Sequence, residues 1–295
     1  LREIIKHMPK KSHPMDVART AVSVMGLEDK ETSNNSPEAN MRKAIRIFAK
    51  TPTAIAAFFR ARKGKNVIPP KKKLTFSENF FYMCFGKVPR EDIVKAFDVS
   101  LILYAEHSFN VSTFTARTIT SSLSDIHGAI TGAIASLKGP LHGGANEEVM
   151  NMLKKIKKPE NAKKWILDAL ENKKLIMGFG HRVYRKGDSR VPTMKKYYLK
   201  VAEILKEKKL PKISQILEDV MIEKKNIHPN LDYPTGPAYH LMGFDTDFFT
   251  PIFVISRITG WSAHIMEQHA ANKLIRPLSK YSGEKHRKVM LLNQR

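Results

Sequence analysis

Residues 248–268 read FFTPIFVISRITGWSAHIMEQ, a long apolar stretch that few charged side chains interrupt. Pro251 lies near its start, where proline is tolerated because the N–H that it lacks would have no partner in the first turn of a helix. The length and composition of the stretch therefore predict a long helix.

Most of the remaining chain also has helical patterning. Apolar residues recur at spacings of three and four in residues 213–221 and 197–208, as they do on one face of a helix. Residues 41–60 share the pattern, with a predicted break at Thr51-Pro52-Thr53. Residues 108–124 are rich in Ser, Thr and Val, which favour strands, yet we predict helix because the flanks are helical and no paired strand follows. We expect loops at residues 33–38, 63–73, 138–144, 178–190, 225–236 and 277–285.

The composition bounds the class of protein. A chain of 295 residues that is 42% apolar can bury a substantial core in one large domain or two ordinary ones. A single cysteine, Cys84, excludes an intrachain disulfide framework and is typical of a reducing compartment. No apolar run approaches the roughly 18 residues of a membrane span. We expect no membrane partner and a cytoplasmic location, or the mitochondrial matrix in a eukaryote.

The chain is strongly basic, with 51 Lys and Arg against 28 Asp and Glu and a net charge of +23. Such an excess attracts polyanions: nucleic acid, acidic membranes, or phosphorylated and carboxylated substrates. The lysines form short clusters, at residues 71–73, 154–158 and 206–209, that recur along the chain. This spread favours solvated helix surfaces and steering of anionic substrates over a dedicated nucleic-acid surface, although charge does not settle the choice.

Two histidines are framed by glycines, His142 in GPLHGGANE at 139–147 and His181 in GFGHRVY at 178–184. Glycine removes side-chain bulk, so a ligand can approach the imidazole closely. Asn146 is a good helix N-cap, so we expect His142 just before a helix N-terminus, whose dipole would keep it a neutral hydrogen-bond donor. A structural histidine that satisfies loop backbone is the alternative.

The loop after His181 is rich in cations. Arginine offers a planar fork that matches carboxylate or phosphate, and an exposed basic loop is the alternative. The Gly-Phe-Gly at 178–180 is not a dinucleotide fingerprint, because the third glycine and the strand–turn–helix context are missing. The cations of this loop are Arg182, Arg185, Lys186 and Arg190.

Asp232 lies in HPNLDYPTG at 228–236, among apolar and conformationally constrained residues. Desolvation there would raise its pKa towards that of a useful general base, whereas the alternative is a turn-forming aspartate. We expect no metal site, because His264 and His269 are five residues apart and do not share one helical face. A phosphate-binding P-loop and a nucleophile elbow are also missing from the sequence.

Seven stretches, in order along the chain, make the sequence similar to the citrate synthase superfamily. They are LYAEHSFN (103–110), STFTAR (112–117), GPLHGGANE (139–147), IMGFGHRVY (176–184), PNLD (229–232), FTPIFVISR (249–257) and NKLIRP (272–277). Two further stretches, 79–86 and 231–240, resemble the bacterial-type 2-methylcitrate synthase branch more closely.

The resemblance implies a mainly α-helical fold of two domains. Residues 1–142 and 237–295 would form a large domain with the dimer interface, and residues 143–236 a smaller mobile domain with the CoA site and the catalytic loops. Members of the family carry a further segment ahead of the position that Leu1 matches.

The resemblance also implies the reaction. Propionyl-CoA, oxaloacetate and water would give 2-methylcitrate and free CoA, with side activity on acetyl-CoA. A citrate synthase that prefers acetyl-CoA is the alternative, because one methylene in a pocket is worth only about 1–3 kcal/mol. A non-catalytic basic homologue or a nucleic-acid binder is a remote alternative. The CoA thioester is a substrate, and neither a metal nor another cofactor is implied.

Three residues would be catalytic by this resemblance. Asp232 would remove the α-proton of the acyl-CoA, and His142 would hydrogen-bond the thioester oxygen and stabilise the enol or enolate. His181 would donate to the ketone of oxaloacetate.

Further residues would bind the substrates. His107, Arg190 and Arg257 match oxaloacetate ligands, and Arg276 matches a residue that completes the site from the partner subunit of a homodimer. The implied CoA-binding residues are Lys173, Lys174, Leu175, Ile176, Met177, Gly178 and Arg185.

Overall fold

The computed structural model describes residues 1–184 and 186–295, which form thirteen α-helices and two short 3-10 helices. In chain order the α-helices are α1 (Arg2–His7), α2 (Pro14–Glu28), α3 (Pro37–Ala61), α4 (Phe76–Phe85), α5 (Glu91–Tyr104), α6 (Val111–Ser121), α7 (Ile126–Leu137), α8 (Ala145–Ile156), α9 (Pro159–Glu171), α10 (Val191–Ile204), α11 (Lys209–Lys225), α12 (Asp232–Leu241) and α13 (Phe249–Ala270). The 3-10 helices are Thr246–Phe248 and Leu292–Gln294.

The prediction of a mainly α-helical fold is confirmed. Over the described residues the only extended pairing is one isolated antiparallel bridge, between Phe179 and Pro229. None of the helices in this part of the chain combines the length and the apolar character needed to cross a bilayer.

Helix α13, predicted from residues 248–268, lies at the centre of the fold. It packs against α3, α5, α6 and α7, and most of its side chains are buried, including Trp261. Burying one large apolar side chain contributes roughly 1.5–3 kcal/mol, so this helix holds the neighbouring helices together mainly through its apolar surface.

The predicted break in residues 41–60 is wrong, because α3 continues through Pro52. Proline has no N–H to donate to the carbonyl four residues earlier, and its ring crowds that carbonyl. The Thr51 hydroxyl donates to the carbonyl of Ile47 (2.7 Å) and the Thr53 hydroxyl to that of Ala49 (3.4 Å), next to the interrupted position. Packing of α3 against α13 and α2 then favours the continuous helix.

Helix formation within residues 108–124 is confirmed by α6. The Asn110 side chain caps it by accepting a hydrogen bond from the Thr113 N–H at 3.1 Å. The hydroxyls of Thr115, Thr118 and Thr120 each donate to the carbonyl four residues earlier, which gives these polar side chains partners inside the helix. A good N-cap and tertiary packing therefore outweigh the strand preference of Ser, Thr and Val.

The other segments with apolar periodicity are helical, as predicted, but their ends differ from the predicted ones. Residues 213–221 lie in α11, and residues 197–208 correspond to the end of α10, which stops at Ile204. The loop predicted at 225–236 ends early, because α12 begins at Asp232.

Gly260 allows α13 to approach the end of α5. Its N–H donates to the carbonyl of Ala105 at 3.1 Å, and a Cβ at this position would lie 2.5 Å from the same oxygen. Ala105 is followed by the loop that carries His107. This close approach therefore sets the position of a predicted substrate ligand.

We expect Gly260→Ala to destabilise the protein by about 1–3 kcal/mol, because the Ala105 carbonyl cannot rotate away as a flexible side chain can. Gly132→Ala in α7 is the control, since its Cβ would meet the tip of the Ile119 side chain, which can move. Thermal unfolding measures both. Equal stability of the two variants would contradict a backbone constraint at Gly260.

Candidate active site

One cavity of about 700 Å³ lies where the loops before α6, α8 and α10 meet the start of α12. Its wall includes most of the residues that the sequence singles out, namely His107, His142, Leu175, Ile176, Met177, Gly178, His181, Arg190, Asp232 and Arg257. Lys173 and Lys174 are exposed after α9, and Arg276 is exposed in the segment after α13. The predicted CoA ligand Arg185 lies outside the described residues.

The imidazole of His142 is held as one tautomer. The backbone N–H of Ser112 donates to His142 Nε2 at 3.3 Å, and the Ser112 hydroxyl lies 2.8 Å from the same nitrogen. Because a backbone N–H can only donate, Nε2 carries the lone pair and Nδ1 carries the proton of the neutral ring. Trp261 fixes this arrangement by donating from its indole N–H to the Ser112 hydroxyl at 3.2 Å.

His142 is neutral because it is buried. Burial, and then the cation of Arg257, lower the pKa of His142 to about 4. We expected the helix dipole to be the cause, with Asn146 as the N-cap. In the structure α8 starts at Ala145 with Gly144 as its N-cap, and Asn146 is buried within the first turn.

Asp232 is the first residue of α12 rather than part of a loop. Its Oδ1 accepts a hydrogen bond from the Tyr104 hydroxyl at 2.6 Å, and its own N–H donates to Asn230 Oδ1 at 3.1 Å. Burial raises the pKa of Asp232 to about 6, against the opposing effects of the Tyr104 hydrogen bond and the Arg190 cation. At neutral pH the group is therefore a carboxylate, but a more basic one than an exposed aspartate.

His181 also has one nitrogen committed to the backbone. Its Nδ1 accepts a hydrogen bond from the Val183 N–H at 3.1 Å, so the neutral ring carries its proton on Nε2. Burial, and then the Arg190 cation, lower the pKa of His181, while the Asp188 carboxylate opposes them. The available proton on Nε2 makes His181 a hydrogen-bond donor at the cavity.

The loop before His181 is tied to the loop before Asp232. The Gly180 N–H donates to the carbonyl of His228 at 2.8 Å, and the Asn230 N–H donates to that of Gly178 at 2.9 Å. Gly178 has φ +85°, and a Cβ there would lie 2.5 Å from a methyl group of Val149. Only glycine fits this position, so the loop before His181 can lie close against α8 and α12.

His107 lies beside His181, with ring centroids 5.0 Å apart and planes at 80°. Its Nε2 is 3.1 Å from the Tyr184 hydroxyl. Burial, and then the cation of Arg190, lower the pKa of His107 to about 4, so it too is neutral. The cavity therefore holds three neutral histidines.

Two arginines supply the positive charge of the cavity. Arg257 is 2% exposed, and its Nε donates to the carbonyl of Tyr104 at 2.7 Å. Over the described residues no carboxylate forms an ion pair with it, and burial followed by the Arg190 cation lowers the pKa of Arg257 to about 10. Arg190 pairs with Asp188, Nε to Oδ1 at 2.9 Å and Nη2 to Oδ2 at 2.7 Å. Both stay charged at neutral pH, so the cavity presents two guanidinium groups to an anionic ligand, and the charge of Arg190 is balanced by Asp188.

Several residues of the site were not predicted from the sequence. Ser112 and Trp261 hold His142, while Tyr104 reaches Asp232 from 128 residues away along the chain. Only folding brings such residues together, so no local pattern could have found them. Asp188 did have a local signal, since it lies two residues before Arg190.

No metal site is evident in the part of the chain that the structure describes, where no cluster of three or more His, Cys, Asp or Glu side chains could hold an ion.

Replacing Tyr104 by phenylalanine should raise the pKa of Asp232 above its value of about 6, because the charged carboxylate loses a hydrogen bond. A rise of about one unit is expected. Carboxyl ¹³C chemical shifts followed against pH measure it, with Asp232→Asn to assign the resonance. Tyr239→Phe is the control, since that buried hydroxyl bonds Ser100 instead. An unchanged titration in Tyr104→Phe would rule out this role of the hydroxyl.

The chain is also similar to known proteins. The family model described as the citrate synthase C-terminal domain matches residues 1–278. A 2-methylcitrate synthase from Mycobacterium tuberculosis is 53% identical over 284 residues, which cover 96% of this chain and 72% of that protein. A citrate synthase from Mycolicibacterium smegmatis is 51% identical over 290 residues, covering 98% of this chain and 77% of that protein.

A solved structure is similar along the whole chain. Citrate synthase from Thermoplasma acidophilum, solved as a ternary complex with carboxymethyl coenzyme A and oxaloacetate, aligns with a TM-score of 0.93 at 32% identity. The alignment covers 100% of this chain and 79% of that one. On the family match, the identities and the shared fold, this chain belongs to the citrate synthase family.

Proposed function

We propose that this protein is an acyltransferase that condenses propionyl-CoA with oxaloacetate and water to give 2-methylcitrate and free CoA, with acetyl-CoA as a side substrate. One observation carries the proposal. A basic carboxylate, a neutral histidine donor and a buried cation line a single cavity, and no carboxylate of the described residues pairs with that cation. These are the groups that proton abstraction beside a thioester and capture of a dianionic keto acid require.

The first step is formation of the nucleophile. The Asp232 carboxylate takes the α-proton of the acyl thioester, and the electron pair of that C–H bond moves towards the carbonyl to give an enol or enolate. The Nδ1–H of His142 donates to the thioester oxygen as negative charge develops there. A neutral imidazole is suited to this role because its N–H can donate a hydrogen bond to the thioester oxygen and polarise the carbonyl group.

The second step forms the carbon–carbon bond. The enol carbon attacks the ketone of oxaloacetate, and the Nε2–H of His181 donates to the ketone oxygen as it becomes a hydroxyl. Water then cleaves the thioester of the condensed product, giving the tricarboxylate and the free thiol of CoA.

Oxaloacetate carries two carboxylates, and its proposed ligands are His107, Arg190 and Arg257. The buried Arg257 guanidinium lacks an ion-pair partner among the described residues, so a bound carboxylate would offset the cost of burying that charge. The ring of His107 adjoins that of His181, which supports contact of both with one small ligand.

The proposed CoA-binding segment is 173–178, together with Arg185. Its apolar residues Ile176 and Met177 lie in the cavity wall, while Lys173 and Lys174 are exposed at its outer end. This order suits a ligand whose acyl end is buried and whose phosphates remain near solvent. We propose that no metal or further cofactor takes part.

We further propose the division into a large domain, residues 1–142 and 237–295, and a small mobile domain, residues 143–236. Closure of the small domain would exclude water until condensation is complete. Because Cys84, the only cysteine, is buried and unpaired, we place the activity in the cytoplasm.

A thiol-release assay with oxaloacetate and either propionyl-CoA or acetyl-CoA tests the function. Relatives named 2-methylcitrate synthase and citrate synthase share similar identities with this chain, so a preference for acetyl-CoA is the second candidate. We expect a higher kcat/KM with propionyl-CoA. A higher value with acetyl-CoA would favour the second candidate, and no thiol release with either would overturn both.

Activity should depend on ionised Asp232. The base works only as a carboxylate, so kcat/KM for the thioester should be constant at higher pH and fall as pH drops through about 6. Asp232→Asn should lower kcat by about 10³-fold while oxaloacetate still binds. Asp168→Asn, on the exposed face of α9, is the matched control and should be unaffected. Near-normal turnover of Asp232→Asn would mean that another residue is the base.

We also propose a homodimer in which Arg276 reaches the partner's site, and this arrangement can be tested separately. Arg276→Ala and Asp232→Asn should each be nearly inactive, yet mixing them with subunit exchange should restore about a quarter of wild-type activity. In each hybrid dimer one site keeps both Asp232 and the partner's Arg276. Activity that does not rise after mixing, although hybrid dimers are detected by native mass spectrometry, would place Arg276 in its own subunit's site or outside both.

A further inference from the structure

The carboxylate of Asp188 connects two parts of the cavity wall. Its side chain is fully buried, and both oxygens accept hydrogen bonds. Oδ1 accepts from the Nε and the backbone N–H of Arg190, at 2.9 and 3.0 Å. Oδ2 accepts from the Nη2 of Arg190 at 2.7 Å and from the backbone N–H of Leu231 at 3.1 Å.

The pairing determines how Arg190 can meet a ligand. A guanidinium presents two edges that suit a carboxylate, and Asp188 occupies the edge formed by Nε and Nη2. The edge formed by Nη1 and the second N–H of Nη2 is left for a substrate carboxylate. Asp188 thereby fixes the plane of the guanidinium as well as its position.

The fourth hydrogen bond holds the residue that precedes the proposed base. Leu231 directly precedes Asp232, and its N–H is held by the carboxylate that also holds Arg190. A shift of the guanidinium upon ligand binding would therefore be transmitted through Asp188 to the start of α12. No other carboxylate of the described residues bonds both Arg190 and this turn.

We propose that Asp188 is a positioning residue that couples the keto-acid arginine, Arg190, to the base-bearing turn at Leu231 and Asp232. The proposal rests on the function proposed above. Asp188 does not touch the reacting atoms; it holds the guanidinium edge for the keto acid and the backbone from which the base projects.

The charges around Asp232 give this coupling a measurable signature. The groups that face it are Tyr104 on α5, Arg257 on α13, and Asp188 and Arg190 before α10. The Asp188 charge raises the pKa of Asp232, whereas the Tyr104 hydrogen bond and the two arginines lower it. Removing the Asp188 charge lowers that pKa, and it also leaves Arg190 without its counter-ion, which acts in the same direction.

The test is Asp188→Asn in the full chain, with thiol release and calorimetric oxaloacetate binding as readouts. We expect KM and Kd for oxaloacetate to rise about tenfold, because the amide cannot hold the guanidinium edge as a carboxylate does. The acid limb of the kcat/KM profile for the thioester should move about one pH unit lower, opposite to Tyr104→Phe. A residue that only stabilised the loop would not shift this limb.

Asp125→Asn is the matched control, because Asp125 caps α7 through the Gly128 N–H, pairs with His127 and does not line the cavity. It should lower thermal stability without moving the acid limb or oxaloacetate affinity. Should Asp188→Asn fail to fold, Asp188→Glu replaces it. That variant keeps the charge but moves the carboxylate, so oxaloacetate binding should weaken while the limb stays in place.

Wild-type oxaloacetate affinity together with an unshifted limb in Asp188→Asn would overturn the coupling and leave the proposed function standing. Failure of the wild-type protein to release thiol from either thioester would instead overturn the function itself. The two failures are therefore distinguishable.

Discussion

The burial of the positively charged Arg257 side chain is the constraint on which the rest of the cavity depends. It lies in α13 without a carboxylate partner among the described residues, held by the carbonyl of Tyr104. Its charge helps to keep His107 and His142 neutral and limits the rise in the pKa of Asp232. A single buried cation thus lowers the pKa of His107, of His142 and of Asp232 together.

Burying a charge that has no ion-pair partner costs on the order of several kcal/mol, even after the surrounding protein relaxes. The apolar packing of α13 against α3, α5, α6 and α7 offsets that cost. Under the proposed function, a carboxylate of oxaloacetate would offset the cost that burial imposes on the Arg257 cation. The desolvation that lowers the pKa of Arg257 to about 10 would, in the proposed reaction, also favour binding of an anionic substrate.

Hydrogen bonds from the surrounding scaffold decide what each group at the site can do. Backbone N–H groups of Ser112 and Val183 commit one nitrogen of His142 and of His181, so that each ring has one defined donor. Tyr104 and Asp188 act on the Asp232 carboxylate in opposite directions. Catalytic ability in the proposed reaction comes from these neighbours as much as from the three residues themselves.

The sequence by itself determined the helical class, the long central helix and the two glycine-framed histidines of the cavity, because apolar periodicity and glycine-framed histidines are local patterns. The family resemblance added His107, Arg190 and Arg257. The sequence wrongly predicted a helix break at Pro52, where tertiary packing keeps α3 continuous despite one missing hydrogen bond. It also wrongly predicted Asn146 as a helix N-cap, because that residue is buried inside the first turn of α8. Tertiary structure alone decided the tautomers, the lack of an ion-pair partner for Arg257 among the described residues, and the hydrogen bonds that join Asp188 to Arg190 and Leu231. Those properties depend on burial and on hydrogen bonds between residues distant in the chain, which no local pattern contains.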